Sequence, residues 1–510
     1  MENKVAVNGQ GLTIEQVALV AREGCRVELD PAAVSRIKSS RDIVEDYVDR
    51  EEIVYGVTTG FGRFSDVAIS KDEAELLQKN LIVSHACGVG KSFSRDITRA
   101  VMLLRVNTLC RGYSGIRLET LNLLVEMLNR GVHPVIPQKG SLGASGDLAP
   151  LAHMVLVMLG EGRAEYDGEI MEGSRALEKA GLKPCTLSSK EGLALINGTQ
   201  TMSAVASLTL FDALMLVKMA DIAAALTLEA LNGIVDAFDD RIHRVRGHKG
   251  QTESAENIRH LVDGSTYITR QGEKRVQDAY ALRCTAQVHG ACRDALEYAA
   301  RVIGTEINAV TDNPLIFPDS GEVISGGNFH GEPVALAMDF LGISLAELAD
   351  ISERRIERLV NPQLSNGLPA FLTVHGGLNS GFMIAQYAAA ALVSENKVLA
   401  HPASVDSIPS SANQEDHVSM GTIAARKGSE IKDNLANVLA IEYLASAQAI
   451  DLRGEGILGR GTGPVYRLLR SRVKPLKQDR IMHADMQSAL ELILSRKPVK
   501  AAEEAVGKKL

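Results

Sequence analysis

Apolar residues recur at steps of three and four positions along most of this chain, which is the repeat of an amphipathic α-helix. Residues 333–360 carry the pattern most clearly, because Leu341, Leu345 and Leu348 all fall on it. A proline at position 362 ends that run. The same repeat predicts long helices in residues 202–238, 291–307, 381–399 and 431–448. We therefore predict a mainly α protein built on a long central helix bundle.

Several of these segments are apolar around most of their circumference. A helix without a clear polar face must be covered on all sides, which favours a bundle core shared between subunits. We therefore predict a homo-oligomer, and the specific expectation is a homotetramer.

The first 200 residues have shorter helical patterns that glycine and proline interrupt. This change in the helical pattern predicts a smaller N-terminal domain in residues 1–200, which carries the active site. The helical bundle is predicted to occupy residues 201–510.

Composition and charge exclude several classes of protein. The 510 residues carry a formal charge of −8, so no basic surface is available for nucleic acid. Charged residues interrupt the apolar stretch 202–238, and the N-terminus has no secretory pattern, so we expect no membrane span and a cytoplasmic location. No CxxC pair occurs, which favours reduced thiols and no metal site at the six scattered cysteines, Cys25, Cys87, Cys110, Cys185, Cys284 and Cys292.

Three short motifs are incomplete. Residues 454–459 spell GxGxxG, but no predicted strand precedes them. Residues 90–92, Gly-Lys-Ser, match the end of a phosphate-binding loop, but His85 stands where that loop needs its first glycine. Asp147 likewise replaces the final glycine of a nucleophile elbow around Ser145, so a serine hydrolase is disfavoured.

Residues 140–150 place Ala144, Ser145 and Gly146 in a glycine-rich turn. If the Gly146 nitrogen attacks the Ala144 carbonyl carbon, a five-membered ring closes. Loss of two waters, one from the Ser145 side chain, then leaves an electrophilic methylidene group. Gly146 leaves the approach to its nitrogen open, because it has no side chain. A plain glycine and serine loop that caps a helix is the alternative for these three residues alone.

Residues 140–154 as a whole resemble the signature of the aromatic amino acid ammonia-lyases and aminomutases. The resemblance extends from the loop at residue 55 to about residue 430. It implies a carbon–nitrogen lyase whose cofactor, 4-methylidene-imidazol-5-one (MIO), forms autocatalytically from Ala144, Ser145 and Gly146.

Two polar motifs in the first domain match the same family. Residues 55–62 place Tyr55 beside a flexible glycine loop, which suits a lid over a substrate. The resemblance implies that Tyr55 is the base that removes the substrate β proton. Asn197 stands at the head of a long apolar segment, and the resemblance implies that it lies beside the prosthetic group.

Further site residues are expected in the second half of the chain. Gln277, Tyr280 and Arg283 are spaced at i, i+3 and i+6, which predicts one side of a helix. Arg283 can hold a carboxylate through two parallel hydrogen bonds. The resemblance implies that Arg283 binds the substrate carboxylate, that Tyr280 is catalytic and that Gln277 lines the site. It places Asn313 and Phe329 in the same site.

Residues 80–86 and 411–421 resemble the histidine ammonia-lyases in particular. The resemblance implies that His85 and the catalytic Glu415 orient a substrate imidazole. A phenyl ring would leave a buried Glu415 unpaired, at a cost of about 1–3 kcal/mol. The expected reaction is the conversion of L-histidine to trans-urocanate and ammonia, in which the electrophile is expected to attack the amine.

Two alternatives stay open. A tyrosine or phenylalanine ammonia-lyase or aminomutase would use the same electrophile. A helical scaffold without activity could keep the fold to bind partners.

Overall fold

A computed structural model describes residues 4–60, 69 and 73–510. They are mostly helical, as the apolar repeat predicts, and they form two compact units that are each discontinuous in sequence. The first comprises Met1–Phe211, Ala300–Asp339 and Pro402–Arg426, and the second comprises Asp212–Ala299, Phe340–His401 and Lys427–Leu510. The domains 1–200 and 201–510 stay a prediction, because compact units defined by contacts need not be folding domains.

Among the described residues, eight α-helices lie wholly within the first unit. Clear end signals set some of their limits: the first begins at a capping box between Thr13 and Gln16 and ends at Gly24, which is left-handed. The eight are α1 (Ile14–Glu23), α2 (Pro31–Asp49), α3 (Ala74–His85), α4 (Arg95–Leu109), α5 (Leu118–Arg130), α6 (Leu148–Met158), α7 (Gly173–Lys179) and α8 (Glu191–Ile196).

The strands of the described residues are short, and all belong to the first unit. They are β1 (Lys4–Val7), β2 (Arg26–Leu29), β3 (Val89–Ser92), β4 (His133–Pro134), β5 (Pro137–Lys139), β6 (Arg163–Tyr166), β7 (Glu169–Glu172), β8 (Leu315–Phe317) and β9 (Glu322–Ile324). β1 and β2 pair in parallel, with Lys4 opposite Arg26. The other sheets are antiparallel and have the orders β3-β5, β4-β6-β7 and β8-β9. The β3-β5 sheet leads directly into the loop at residues 140–146.

Four long helices contribute residues to both units: α9 (Gln200–Ala230), α13 (Thr285–Glu306), α14 (Glu332–Val360) and α16 (Gly421–Arg453). The helix predicted for residues 333–360 is confirmed to within one residue. The predicted helix 202–238 is too long, because Asn232 takes a left-handed φ of 50° just after α9 ends. In the described part of the chain, no helix is long and apolar enough to cross a bilayer.

The remaining helices belong to the second unit: α10 (Asp240–Arg246), α11 (Lys249–Leu261), α12 (Tyr280–Arg283), α15 (Met383–Leu399), α17 (Thr462–Arg470), α18 (Met482–Leu494) and α19 (Lys497–Val506). The core of this unit contains a wholly buried ion pair, in which Arg355 Nη2 lies 2.9 Å from Glu442 Oε2. Thr227 and Ser352 also donate hydrogen bonds to Glu442. Both carboxylate oxygens therefore have partners, which burial of a charge requires.

Candidate active site

The loop between β5 and α6 is compressed against two distant segments. Gly140, Gly143 and Gly146 have φ angles of 134°, 68° and 69°, which glycine adopts without strain. A Cβ atom on Gly146 would lie 2.2 Å from the carbonyl oxygen of Gly198, and one on Gly143 would lie 2.2 Å from Ser419 Oγ. Ala144 and Ser145 therefore lie between two glycines that are each packed closely against another segment.

Asp147 ties this loop to two other elements. Its backbone N–H donates to Gly198 O at 2.7 Å. Its carboxylate accepts hydrogen bonds from Ser141 Oγ at 3.0 Å, from Met202 N at 2.8 Å and from Thr422 Oγ1. Burial raises the pKa of Asp147 to about 6, because it outweighs these hydrogen bonds. α6 begins directly after Asp147, but the Asp147 side chain binds the first turn of α9 and does not cap α6.

Asn197 connects the loop to a buried cation. Its Nδ2 donates to Ser145 Oγ at 2.8 Å, and its carbonyl accepts from Arg105 Nη1 at 2.9 Å. Arg105 also donates to the side-chain oxygen of Gln200 and to the carbonyl of Ala194. Burial lowers the pKa of Arg105 to about 10. A guanidinium with no solvent contact therefore fixes the backbone from which Asn197 reaches Ser145.

A second buried cation lies in the same unit. Lys190 Nζ is 2.7 Å from Asp312 Oδ2, and both side chains are wholly buried. Burial lowers the pKa of Lys190, whereas the negative charge of Asp312 raises it. Asp312 has the same raising effect on the pKa of Arg105. The residue after this aspartate, Asn313, accepts a hydrogen bond from Gly326 N at 2.7 Å. The ion pair thus anchors the segment that carries Asn313.

Tyr55 lies in a tight turn. Val54 N donates to Thr58 Oγ1 at 2.9 Å, and Gly56 N donates to Thr59 Oγ1 at 3.2 Å. Threonine hydroxyls therefore stabilise the turn on both sides of Tyr55. The predicted loop extends to residue 62, and its residues 61 and 62 lie outside the described part of the chain.

A cavity of about 420 Å³ opens in the first unit, a volume suited to an amino acid. Six of the predicted site residues line it: Tyr55, Ala144, Ser145, Asn313, Phe329 and Glu415. The same wall includes residues to which the sequence assigned no role, namely Ser325, Gly326, His330, Gln414, Asp416 and His417. The rings of His330 and His417 stack with their centroids 5.6 Å apart. His417 lies inside the motif at residues 411–421, and His330 directly follows the predicted site residue Phe329, so their positions in the sequence were an available signal.

His85 is the last residue of α3, and its Nδ1 lies 3.1 Å from Ser84 Oγ. Burial lowers the pKa of His85, while a backbone hydrogen bond at Leu81 and the charge of Glu415 oppose this shift. His85 is thus close enough to Glu415 for the two to interact electrostatically. In the described part of the first unit it is not among the residues that line the cavity.

Gln277, Tyr280 and Arg283 belong to the second unit, whereas the described cavity lies within the first. The prediction that they share a helix is wrong, because α12 begins at Tyr280 and Gln277 precedes it in a non-helical segment. That segment is held by Asp278, whose Oδ2 accepts from Ile234 N at 2.5 Å. The guanidinium of Arg283 lies 4.6 Å from the Tyr280 ring centroid, a cation–π distance. The roles of these three residues stay predictions.

Comparison with known proteins identifies the family. A model described as aromatic amino acid lyase matches residues 12–471. A relative from Alkaliphilus metalliredigens (strain QYMF), named histidine ammonia-lyase, is 62% identical over 503 residues, which cover 99% of each chain. The crystal structure of histidine ammonia-lyase from Trypanosoma cruzi has a TM-score of 0.92 at 43% identity and covers 98% of this chain and 95% of that one. Tyrosine aminomutase from Streptomyces globisporus has a TM-score of 0.94 at 39% identity, covering 98% and 99% of the two chains. Since the family model matches most of its length and a full-length relative shares more than half of its residues, the chain belongs to the aromatic amino acid lyase family.

Proposed function

We propose that this chain catalyses the non-oxidative deamination of L-histidine to trans-urocanate and ammonia, which is histidine ammonia-lyase activity. One observation carries the proposal: Tyr55, Ala144, Ser145 and Glu415 all line a single cavity. The identity of 62% to a relative named histidine ammonia-lyase supports the choice of substrate.

We propose further that Ala144, Ser145 and Gly146 form MIO. A bond forms between the Gly146 nitrogen and the Ala144 carbonyl carbon, and the carbonyl oxygen leaves as water with the amide hydrogens of Gly146 and Ser145. The Ser145 hydroxyl leaves with the α hydrogen as a second water. The local geometry fits this chemistry, because Gly146 is held by contacts that exclude a side chain and Asn197 donates to the departing Ser145 oxygen. Once formed, MIO supplies an electrophilic carbon.

In the proposed reaction, Tyr55 accepts the β proton of histidine. The bond between Cα and the amine nitrogen then breaks, a carbon–carbon double bond forms and ammonia leaves. His85 and Glu415 orient the imidazole, and Arg283 binds the carboxylate, with Gln277 and Tyr280 beside it. Asn313 and Phe329 complete the site.

The substrate is tested by turnover assays on the purified protein. We expect absorbance of urocanate to develop with L-histidine and no product with tyrosine or phenylalanine. The structural similarity to tyrosine aminomutase makes that activity the second candidate. Turnover of tyrosine without turnover of histidine would favour it and contradict the proposal.

The cofactor is tested by intact mass. The wild-type chain is expected to be lighter than its sequence by two waters, whereas Ser145→Ala should keep its full mass, remain folded and lose turnover by several orders of magnitude. Near-normal turnover in that variant would refute the assignment. A wild-type chain of full mass that does not deaminate histidine would favour the inactive scaffold.

A homotetramer is proposed as the assembly. In the second unit, α15 carries exposed apolar side chains at Ile384, Tyr387 and Val398, of which Val398 is 72% exposed. Burial of such a row between subunits is favourable. Sedimentation equilibrium should give four times the chain mass, and a monomer would contradict this.

A further inference from the structure

The segment that carries Glu415 is a closed loop with a strained backbone. Ser410 N donates to Glu415 O at 2.9 Å, and Glu415 N donates to Ser410 O at 3.3 Å, so the two residues form an antiparallel bridge. Between them, Ser411, Ala412 and Asn413 have φ angles of 52°, 52° and 65°. Three consecutive left-handed residues without glycine are unfavourable for L-amino acids. The bridge must therefore hold this conformation against its own strain.

Ser410 also binds the side chain of Glu415. Its Oγ donates to Glu415 Oε2 at 3.0 Å. Within the described part of the chain, Oε1 has no hydrogen-bond partner, and Glu415 lines the cavity. One carboxylate oxygen is thus anchored, and the other can accept an N–H from a ligand.

We propose that Ser410 is a positioning residue that sets the preference for a substrate ring bearing an N–H group. This inference rests on the proposed function and extends it to the origin of substrate choice. The Ser410 hydroxyl and the left-handed turn restrict the rotation of the Glu415 carboxylate before the substrate binds. The entropic cost of ordering the Glu415 side chain is then incurred when the protein folds, and not when the substrate binds.

The effect is selective for the ring. An imidazole N–H can donate a charge-assisted hydrogen bond to the oriented carboxylate, whereas a phenyl ring has no donor to offer. Because the ring is held in both the ground state and the transition state, loss of the orientation should raise KM more than it lowers kcat.

The experiment compares Ser410→Thr with Ser410→Val. The two variants have nearly the same shape, because valine has a methyl group where threonine has its hydroxyl group. Ser410→Thr should keep the KM for L-histidine within about twofold, and Ser410→Val should raise it about tenfold, as loss of one hydrogen bond to a charged group predicts. The inhibition constant of L-phenylalanine, measured as a competitive inhibitor, should stay unchanged in both. Ser411→Ala is the control, because this residue lies in the same turn, while among the described residues it is Ser410 that donates a hydrogen bond to the Glu415 carboxylate.

Two results in the variants would overturn the inference. Equal KM values for the threonine and valine variants would remove the hydroxyl from the argument. A parallel rise in the phenylalanine inhibition constant would indicate general damage to the pocket. A wild-type protein that does not turn over histidine would refute the proposed function and the inference with it. A wild-type protein that does so, together with unaffected valine kinetics, would refute the inference alone.

Discussion

Replacement of Arg105 by methionine tests whether the buried cation supports the active-site loop. The guanidinium donates to the carbonyl of Asn197, to that of Ala194 and to the side chain of Gln200. Methionine fills a similar volume but donates no hydrogen bond. The backbone that carries Asn197 then loses its anchor, although Asp312 keeps Lys190 as its partner.

The magnitude follows from the contacts. Three hydrogen bonds from a charged donor would contribute about 1.5–3 kcal/mol each, but the variant no longer has to desolvate a guanidinium. We expect a net loss of about 3 kcal/mol or more in the free energy of unfolding, because three buried acceptors lose their donor at about 1–3 kcal/mol each. Turnover should fall as well, because Asn197 loses the support from which it binds the Ser145 hydroxyl that must leave when MIO forms.

Arg99 provides a matched control on the same helix. It is also buried, and it donates to the carbonyls of Val20 and Leu128 at 2.9 and 3.0 Å. Arg99→Met should therefore destabilise the protein by a similar amount without a specific loss of activity. Urea unfolding gives the stability, and histidine turnover and intact mass give the function. Full turnover in Arg105→Met, or an equal loss in Arg99→Met, would refute a link between Arg105 and the loop.

Three further predictions concern the loop and the core. The pKa of Asp147 is about 6 in the folded chain against an ordinary value of 3.8, so its contribution to stability is complete below pH 4 and is lost as the pH rises through 6. Relative to Asp147→Asn, the wild-type unfolding free energy in urea should fall by about 3 kcal/mol between about pH 3 and pH 7, and equal slopes would contradict the shift. Gly146→Ala should abolish the mass loss of two waters, since its Cβ would lie 2.2 Å from a carbonyl oxygen; Gly168→Ala, at a left-handed glycine with open space, is the control that should keep it. Glu442→Gln should lower the unfolding free energy by about 3–5 kcal/mol, because it leaves the Arg355 charge unpaired. The double variant with Arg355→Met should recover most of this loss, and a double variant as unstable as Glu442→Gln alone would contradict the reasoning.

The sequence predicted the parts of the fold that depend on local pattern. Helix α14 was placed to within one residue, because burial of one face requires the apolar repeat. The end of α9 was missed, since Asn232 stops the helix although apolar residues continue beyond it. Gln277 was assigned to a helix on spacing alone, whereas the tertiary hydrogen bond of Asp278 keeps that segment non-helical.

In the candidate site, too, the features that depend on local pattern were predicted and those that depend on distant contacts were not. Glycine spacing located the loop, because residues 140–146 need backbone angles that other residues avoid. The support from Arg105 was not predicted, since its acceptors are 89 to 95 positions away in sequence. A charged residue inside the apolar α4 was the available signal, because a buried charge needs partners. The left-handed turn before Glu415 had no sequence signal, as none of its three residues is glycine.

The loop at residues 140–146 is shaped by segments that the ribosome makes much later. The loop and the adjacent Asp147 contact four residues that come later in the sequence: Gly198, Met202, Ser419 and Thr422. Thr422 follows Asp147 by 275 positions. A nascent chain that has not yet reached residue 422 cannot compress the loop. In the proposed chemistry, ring closure therefore comes after synthesis of most of the polypeptide, and a truncated chain would carry the three residues unaltered.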